Sequence, residues 1–553
     1  METVGTGRER VIMMSGPAHG GNGRVHRKGR FDKKRLLLSA GVFSLLFMVY
    51  SFFLNFSMIS DHISMYYKDP GISKASFISS FAGGRIGNYA LQLCRYFFAL
   101  FHVSKYENQL VLQLLLLILL TCTLMKLEKM TSRYFGGRYS ETVQLLLLSI
   151  CFVNPYFVET FHYVAWELGA ALFICVCAGS CFEKKKYLCS ALLLLLVISI
   201  YQSYAELYLI FGILLVFLRE NGKPTKAFFR SQLQLLLITV AAALADILPI
   251  KAAVYFGMIG EEVKPVNMQG GLWNRLYNAA ACYKIMSVDG FGYFPKWMLF
   301  FVTAALFLAG LAFMLKRRAS VPELLLFAAV SGIQQFLTIA IYLISGSWVT
   351  GRTGWPYFAA MAASFLLALF EIQKTAAECA GQGAAARKDV TLPDAGTAED
   401  GKRGLWSGSN FVFAVFLLLA FFDLYVTETV ETDSYIANKL DELELSEVEA
   451  EIRNYEKQSG TEVTEVSARR TPDSMYYSPL LNLHSVATTS NITMLYNAWS
   501  DVEALNYFEG ESYAEFEMTD ADYSRLFGDR TWKTFIPEEQ LVFEGSRLYW
   551  AIY

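Results

Sequence analysis

Eleven mostly apolar stretches, separated by more polar segments, constrain this chain more than any other feature. They fall at roughly 36–57, 108–126, 140–154, 164–182, 187–201, 204–218, 231–256, 297–315, 322–345, 355–373 and 409–427, and most are long enough to cross a bilayer's hydrocarbon core as a helix. Overall, 54% of the 553 residues are hydrophobic, more than soluble domains carry. The loops sort by charge. Every second one is basic: Lys126, Lys129, Arg133 and Arg138; then Lys184, Lys185 and Lys186; then Arg219, Lys223, Lys226 and Arg230; then Lys316, Arg317 and Arg318; then Lys374, Arg387, Lys388, Lys402 and Arg403. The intervening loops are rich in Tyr, Trp, Gly and Asp. Basic flanks stay on the cytoplasmic side of a membrane. The alternation therefore predicts a cytoplasmic N-terminus and, with eleven crossings, an extracytoplasmic C-terminus. The runs at 140–154 and 187–218 are short enough to be re-entrant or broken helices.

Residues 1–35 are Gly- and Arg-rich and read as a disordered basic tail. The apolar run after them ends in no small-residue cleavage motif, so it reads as a signal anchor. Residues 36–373 form the membrane domain, 374–408 an Ala/Gly/charged cytoplasmic linker, and 409–427 the last span. From Glu428 onward the chain holds 25 acids against nine bases and reads as a separate α/β domain. Tyr435, Leu440, Leu443, Val448, Ile452 and Tyr455 mark an amphipathic helix. A short strand is expected at 462–467, helices at 499–507 and 521–527, and a closing hairpin around Glu544-Gly545-Ser546. The expected fold class is an all-α polytopic membrane protein of about eleven helices with a small extracytoplasmic α/β domain. The nine cysteines form no disulfide framework, since none follows Cys379. Cys175, Cys177 and Cys181 read as small core residues rather than metal ligands.

Ionisable residues within or beside spans are costly and mark functional sites. Many lie on the non-basic side. Asp61 and Asp69 follow the first span. Arg85, after Gly83-Gly84, opens an amphipathic helix with Ile86, Tyr89, Leu93 and Phe97 on one face. Asn154-Pro155 starts a helix carrying Glu159 and His162, three apart on one face. Gln202 and Glu206, four apart, interrupt an apolar run and would line a cavity. Asp246 and Lys251 are five apart, so an ion pair between them needs a bend at Pro249. Arg352 sits between glycines and tryptophans and suits a bidentate phosphate contact or an interfacial anchor. The P-loop, G-x-S-x-G and H-E-x-x-H patterns are absent from the sequence. Asn55-Phe56-Ser57 and Asn491-Ile492-Thr493 match the glycosylation sequon.

The order of these features carries a resemblance: an Asp after the first span, Gly84-Arg85 on an amphipathic segment, Asn154 to Glu159, Tyr201-Gln202-Ser203 between short apolar runs, and an acidic tail ending Leu-Tyr-Trp-Ala-Ile-Tyr. Together they resemble the bacterial type II glucosyltransferases of the serotype-conversion (Gtr) family, within the GT-C class of polyprenyl-phosphate-sugar-dependent enzymes. The family often pairs two acids after the first span, whereas here His62 follows Asp61 and Asp69 stands further on. The resemblance implies transfer of glucose from undecaprenyl-phosphate glucose to a surface glycan on the outer face. Its chemistry needs a carboxylate base and a cation at the leaving phosphate. That assigns Asp61 or Asp69 as base, Arg85, Arg352 and Lys251 as donor-phosphate contacts, and Glu159, His162, Gln202 and Glu206 as pocket lining. The implied partners are the lipid-linked donor, the glycan acceptor, membrane lipids and a donor-supplying synthase and flippase, with no nucleic acid. The chemistry requires no metal, and a divalent ion is compatible with it. A transporter or flippase of polyprenyl-linked sugars, or a glycan polymerase or ligase, is the competing reading.

Overall fold

The computed structural model describes residues 33–51, 74–91, 93, 105–162, 166–258, 271–345, 349–386, 396–470, 495, 501–510, 512–528, 530–532 and 534–552. Among the described residues seven helices are long and apolar enough to cross a membrane: Leu110–Tyr134, Trp166–Glu183, Gln202–Arg219, Lys226–Tyr255, Met298–Lys316, Pro356–Glu378 and Gly408–Ser459. Two shorter apolar helices, Tyr187–Ile200 and Val321–Leu337, accompany them. Of the two remaining expected runs, the first is helix α1 (Lys33–Val49), beyond which only Tyr50 and Ser51 are described.

The other run, 140–154, is not one continuous helix. It contains α4 (Glu141–Ser149) and then a turn. Nine residues rise only about 14 Å, half a hydrocarbon core. Asn154 breaks the helix and starts the next: its Nδ2 donates to Ile150 O at 2.8 Å, and its Oδ1 accepts from Phe157 N at 3.0 Å. Pro155 then opens α5 (Pro155–His162) at a position where a missing N–H costs nothing.

In chain order the helices around these are α2 (Lys74–Ala82), α3 (Lys105–Thr131), α6 (Trp166–Glu183), α7 (Tyr187–Ile200), α8 (Ala205–Arg219), α9 (Lys226–Tyr255), α10 (Leu272–Lys284), α11 (Met298–Lys316), α12 (Val321–Leu337), α13 (Ala340–Ser345), α14 (Gly351–Gly354), α15 (Pro356–Ala386) and α16 (Gly396–Ser459). The centre is α15, whose residues from Tyr357 to Ala363 are all fully buried. Ala359, Ala360, Ala362 and Ala363 give it a thin profile, so α8, α11 and α16 can all pack against it. By contrast α9 is peripheral. Its Leu233, Leu236, Leu237, Val240, Leu244 and Leu248 are exposed, the pattern of a face turned to lipid.

The basic loops meet at one end. Arg133 pairs with Glu183 at 2.9 Å, and Arg138 donates to Gln373 O at 2.9 Å. Lys374 Nζ donates to Asn221 O at 2.7 Å. Arg35, entering α1, reaches the buried Glu128 at 2.9 Å. Buried Arg317 lies 2.7 Å from Glu323 and 3.2 Å from Glu371. The segment expected as a flexible linker, 374–408, is largely helical: α15 continues to Ala386 and α16 begins at Gly396. Lys374 and Thr375 are buried in this charge network rather than solvated.

Helix α16 runs 64 residues without a break. The amphipathic helix expected after the last span is thus its continuation, and the face differs. Tyr435 and Leu443 are exposed, whereas Asp423, Thr427, Glu431, Ser434, Asn438 and Asp441 are buried. Further along, Leu445, Val448 and Ile452 join a second core with Val466, Leu505, Leu548 and Trp550. That core belongs to a four-stranded sheet of order β2-β1-β4-β3. Strand β1 (Glu465–Arg470) runs parallel to β2 (Ala514–Glu515) and to β4 (Arg547–Ile552), while β3 (Leu541–Glu544) and β4 form the expected closing hairpin. Helices α17 (Asp501–Glu509) and α18 (Asp520–Leu526) match the expected ones, and α19 (Pro537–Gln540) leads into β3.

Removing one partner of the buried charge network leaves the others uncompensated, at a cost of about 3–5 kcal/mol. Arg317→Met is therefore expected to lower the thermal unfolding midpoint in detergent sharply, whereas Arg525→Met, whose salt bridge with Glu544 lies on the surface, is expected to leave it nearly unchanged. In the sheet domain, burial pushes the Asp501 carboxyl well above the usual carboxylate range, opposed by Arg470 and reinforced by Asp441 and Glu515. The folded state thus holds this proton where the unfolded chain releases it. Stability falls as pH rises from the unfolded carboxylate pKa toward the raised folded one. Asp501→Asn is expected to raise the domain's unfolding midpoint at pH 8, with the gain vanishing toward pH 4 in a pH series of melts.

Candidate functional site

Gly83, Gly84 and Arg85 form a helix stop. The Arg85 N–H donates to Ser80 O at 2.7 Å and the Gly84 N–H to Phe81 O at 3.0 Å. This closes α2 in the manner that needs a left-handed residue, and Gly84 supplies it with φ +66°. A second helical turn starts at once, over residues 86–91. The stop docks onto the break between α7 and α8. There Tyr201 is extended (φ −157°, ψ 112°) and Gln202–Tyr204 form a 3-10 turn. Gln202 Nε2 donates to Gly83 O at 2.9 Å and to Gly84 O at 3.1 Å, satisfying two carbonyls that the turn leaves open. The Arg85 guanidinium lies 5.0 Å from the centre of the Tyr201 ring. From the other side α9 presents Asp246: a Cβ at residue 84 would stand 2.8 Å from its Oδ2. Three elements far apart in sequence thus bring an exposed arginine, a tyrosine face, an amide and a carboxylate together. Among the described residues Arg85 has no carboxylate partner.

An aromatic row leads from this point across the same end of the bundle. Tyr201 and Tyr204 rings are 5.1 Å apart, Tyr204 and Trp355 5.3 Å, Trp355 and Phe157 5.8 Å, and Phe157 and Phe161 6.0 Å. Phe161 stacks on Tyr50 at 3.8 Å, where α1 ends. Tyr50 donates to Phe152 O, and Tyr156 donates to Met286 O at 2.7 Å. Helix α5 packs against α14 and α16. Arg352 therefore sits on a short helix beside the one that carries Glu159 and His162.

Asp61 and Asp69 lie outside the described residues, as does Phe97 of the expected amphipathic face. Arg85 and Gln202 come together as described. Glu206 is nearly fully buried. It lies near Ile341 and Tyr342. Gln202 lies in the 3-10 turn and Glu206 in the first turn of α8, so no single α-helix carries both. Asp246 and Lys251, which could pair only across a bend at Pro249, do not pair. Lys251 is exposed and makes no ion pair among the described residues, while Asp246 turns to Gly84. The free cysteines bear out the reading as core residues at Cys175, which is buried and donates to Tyr204 O at 3.4 Å. Among the described residues no group of three or more His, Cys, Asp or Glu side chains could hold a metal ion.

Sequence reasoning missed Asp423. It is fully buried on α16, without a hydrogen bond to either oxygen, and lies within electrostatic reach of Tyr50 and Tyr156. The signal was present: Phe421-Phe422-Asp423-Leu424 places a carboxylate inside an apolar run.

The docking at Gly84 is tight enough to test. A Cβ there would stand 2.7 Å from Gln202 Nε2 and would force an alanine into the left-handed region. Gly84→Ala is expected to cost about 2–3 kcal/mol and to raise protease cutting near residue 84, read by thermal unfolding and limited proteolysis. Comparisons with protein-family models, curated proteins and solved structures find no match for this chain.

Proposed function

We propose that this chain is a membrane glycosyltransferase that moves a hexose, glucose by the resemblance, from a polyprenyl-phosphate donor to a surface glycan on the extracytoplasmic face. In this reading the basic end is cytoplasmic, eleven crossings place the sheet domain outside, and the site lies at the outer rim. One observation carries the proposal: Arg85, exposed over the Tyr201 ring and without a carboxylate partner among the described residues, follows Gly84, which Asp246 approaches, at the non-basic end of an apolar bundle. A guanidinium so placed can bind the leaving phosphate as its charge develops. Aromatic faces beside it suit the apolar face of a sugar ring. The base would be Asp61 or Asp69. Either carboxylate would take the proton from the acceptor hydroxyl as that oxygen attacks the anomeric carbon and the bond to phosphate breaks. Arg352 would give a second phosphate contact and Glu159, His162, Gln202 and Glu206 the pocket walls. The exposed Lys251 is the weakest of the assigned donor contacts.

Broken helices at 150–154 and 201–204 also favour a second reading, a transporter of polyprenyl-linked sugars. One assay separates the two. Purified chain in detergent is given radiolabelled polyprenyl-phosphate glucose and surface-glycan extract. Transfer is expected in wild type, with a loss of several orders of magnitude in Asp61→Asn and a fall of about 10²–10³ in turnover in Arg85→Ala. Transfer that survives Asp61→Asn moves the base to Asp69. Folded protein that transfers nothing, yet moves the lipid-linked sugar between leaflets of a vesicle, decides for the transporter.

A further inference from the structure

Helices α6 and α7 form an antiparallel hairpin closed by three exposed lysines, Lys184, Lys185 and Lys186. Its turn is well fixed. The Lys186 N–H donates to Cys181 O at 2.9 Å and the Lys185 N–H to Phe182 O at 2.9 Å, with Lys185 in the left-handed region at φ +59°. The helices are pinned on either side of it. Glu183 accepts from Arg133 at 2.9 Å and from Tyr134 at 3.0 Å, and Ser190 Oγ donates to Ala178 O at 2.9 Å. This register sets Cys181, near the end of α6, against Cys189, near the start of α7, Sγ to Sγ 3.3 Å. Cys189 is exposed and Cys181 half-buried, whereas Cys151, Cys175 and Cys282 are buried. Core packing thus accounts for the buried cysteines and leaves this contact unexplained.

A disulfide holds its sulfurs about 2.05 Å apart, so this pair needs about 1.2 Å of further approach, which rotation about the two Cα–Cβ bonds can supply. We propose that Cys181 and Cys189 are a reversible modification site, where a low-mass disulfide, R–S–S–R, oxidises the pair to an intramolecular disulfide that staples α6 to α7. Cys189, the more exposed, attacks one sulfur of R–S–S–R as a thiolate. That S–S bond breaks, one R–S⁻ leaves, and Cys189 carries R as a mixed disulfide. Cys181 then attacks Cys189 Sγ, the new bond replaces the bond to R, and a second R–S⁻ leaves. The two protons lost by the cysteines end on two R–SH, so one R–S–S–R is reduced as the pair is oxidised. Proximity drives the second step: a thiol held beside the mixed disulfide displaces R, whereas a solitary surface thiol keeps it. The site is independent of the transferase reading. With the basic end cytoplasmic, as proposed above, reducing surroundings return the pair to thiols, and the staple is a transient response to oxidation.

The test treats the full-length chain in detergent with dipyridyl disulfide, blocks the remaining thiols with N-ethylmaleimide and digests with trypsin in the absence of reductant. Trypsin cuts after Lys184, Lys185 and Lys186, so the staple is read by mass spectrometry as two peptides linked through Cys181 and Cys189. Wild type is expected to give this linked pair as the main product, dithiothreitol to release it, and exposed Cys122 to keep a single pyridylthio group. Cys181→Ser is expected to lose the linked pair and to hold the pyridylthio group on Cys189. Oxidised wild type is expected to unfold at a higher temperature than reduced wild type, a rise that both Cys181→Ser and Cys189→Ser lack. Cys181 and Cys189 recovered as separate adducts, or as free thiols once Cys122 is fully modified, overturn the proposal and make the contact one of packing alone.

Discussion

An apolar environment solvates neither a charge nor an open backbone group, and the whole molecule is arranged around that fact. Helices carry the chain through the bundle because they satisfy their own backbone. Charges are pushed to the ends and paired there. At the basic end Arg317 gathers Glu323 and Glu371, and Lys374 caps the carbonyl of Asn221. These contacts join turns that are remote in sequence, so they hold the helices α8, α11, α12 and α15 in one register. The Ala-rich centre of α15 can then pack closely with nothing polar to satisfy.

The opposite end is where the same constraint is relaxed. Helices stop short there, at 149 and at 200, and each stop exposes carbonyls that need donors. Protein groups supply them: Asn154 at the first, and Gln202 reaching from the second to the carbonyls of Gly83 and Gly84. The polar side chains that repair these breaks are the ones that surround Arg85 and the aromatic row. A site built this way comes from the interruption of apolar structure, and its residues arrive from α2, the α7–α8 break, α9, α5 and α16 rather than from one motif.

Much of the fold was legible. Apolar runs are long and their charges alternate, so nine of the expected runs appear as the seven long and two shorter apolar helices. Asn154-Pro155 and the Glu544-Gly545-Ser546 turn act locally, through a cap and a tight turn, and behave as read. Reading was weaker where a residue's face depends on its partners. Gln202 and Glu206 are four apart, yet the first lies in a 3-10 turn and the second opens α8. Tyr435 and Leu443 look like core and are exposed, because the sheet domain and α5 meet α16 on another face.

The sequence by itself determined a bundle of helices long and apolar enough to cross a membrane, with an acidic sheet domain after it, because hydrophobic length and charge alternation act through the solvent and need no tertiary contact. It also placed Arg85 and Gln202 among the residues to watch, since polar groups beside apolar runs stand out in one dimension. Only the tertiary structure decided that Gly84 is the floor on which Gln202 and Asp246 converge, that Lys251 stands apart, and that Asp423 is fully buried. Those are facts about which faces meet, and helix packing sets them through contacts between residues more than a hundred positions apart.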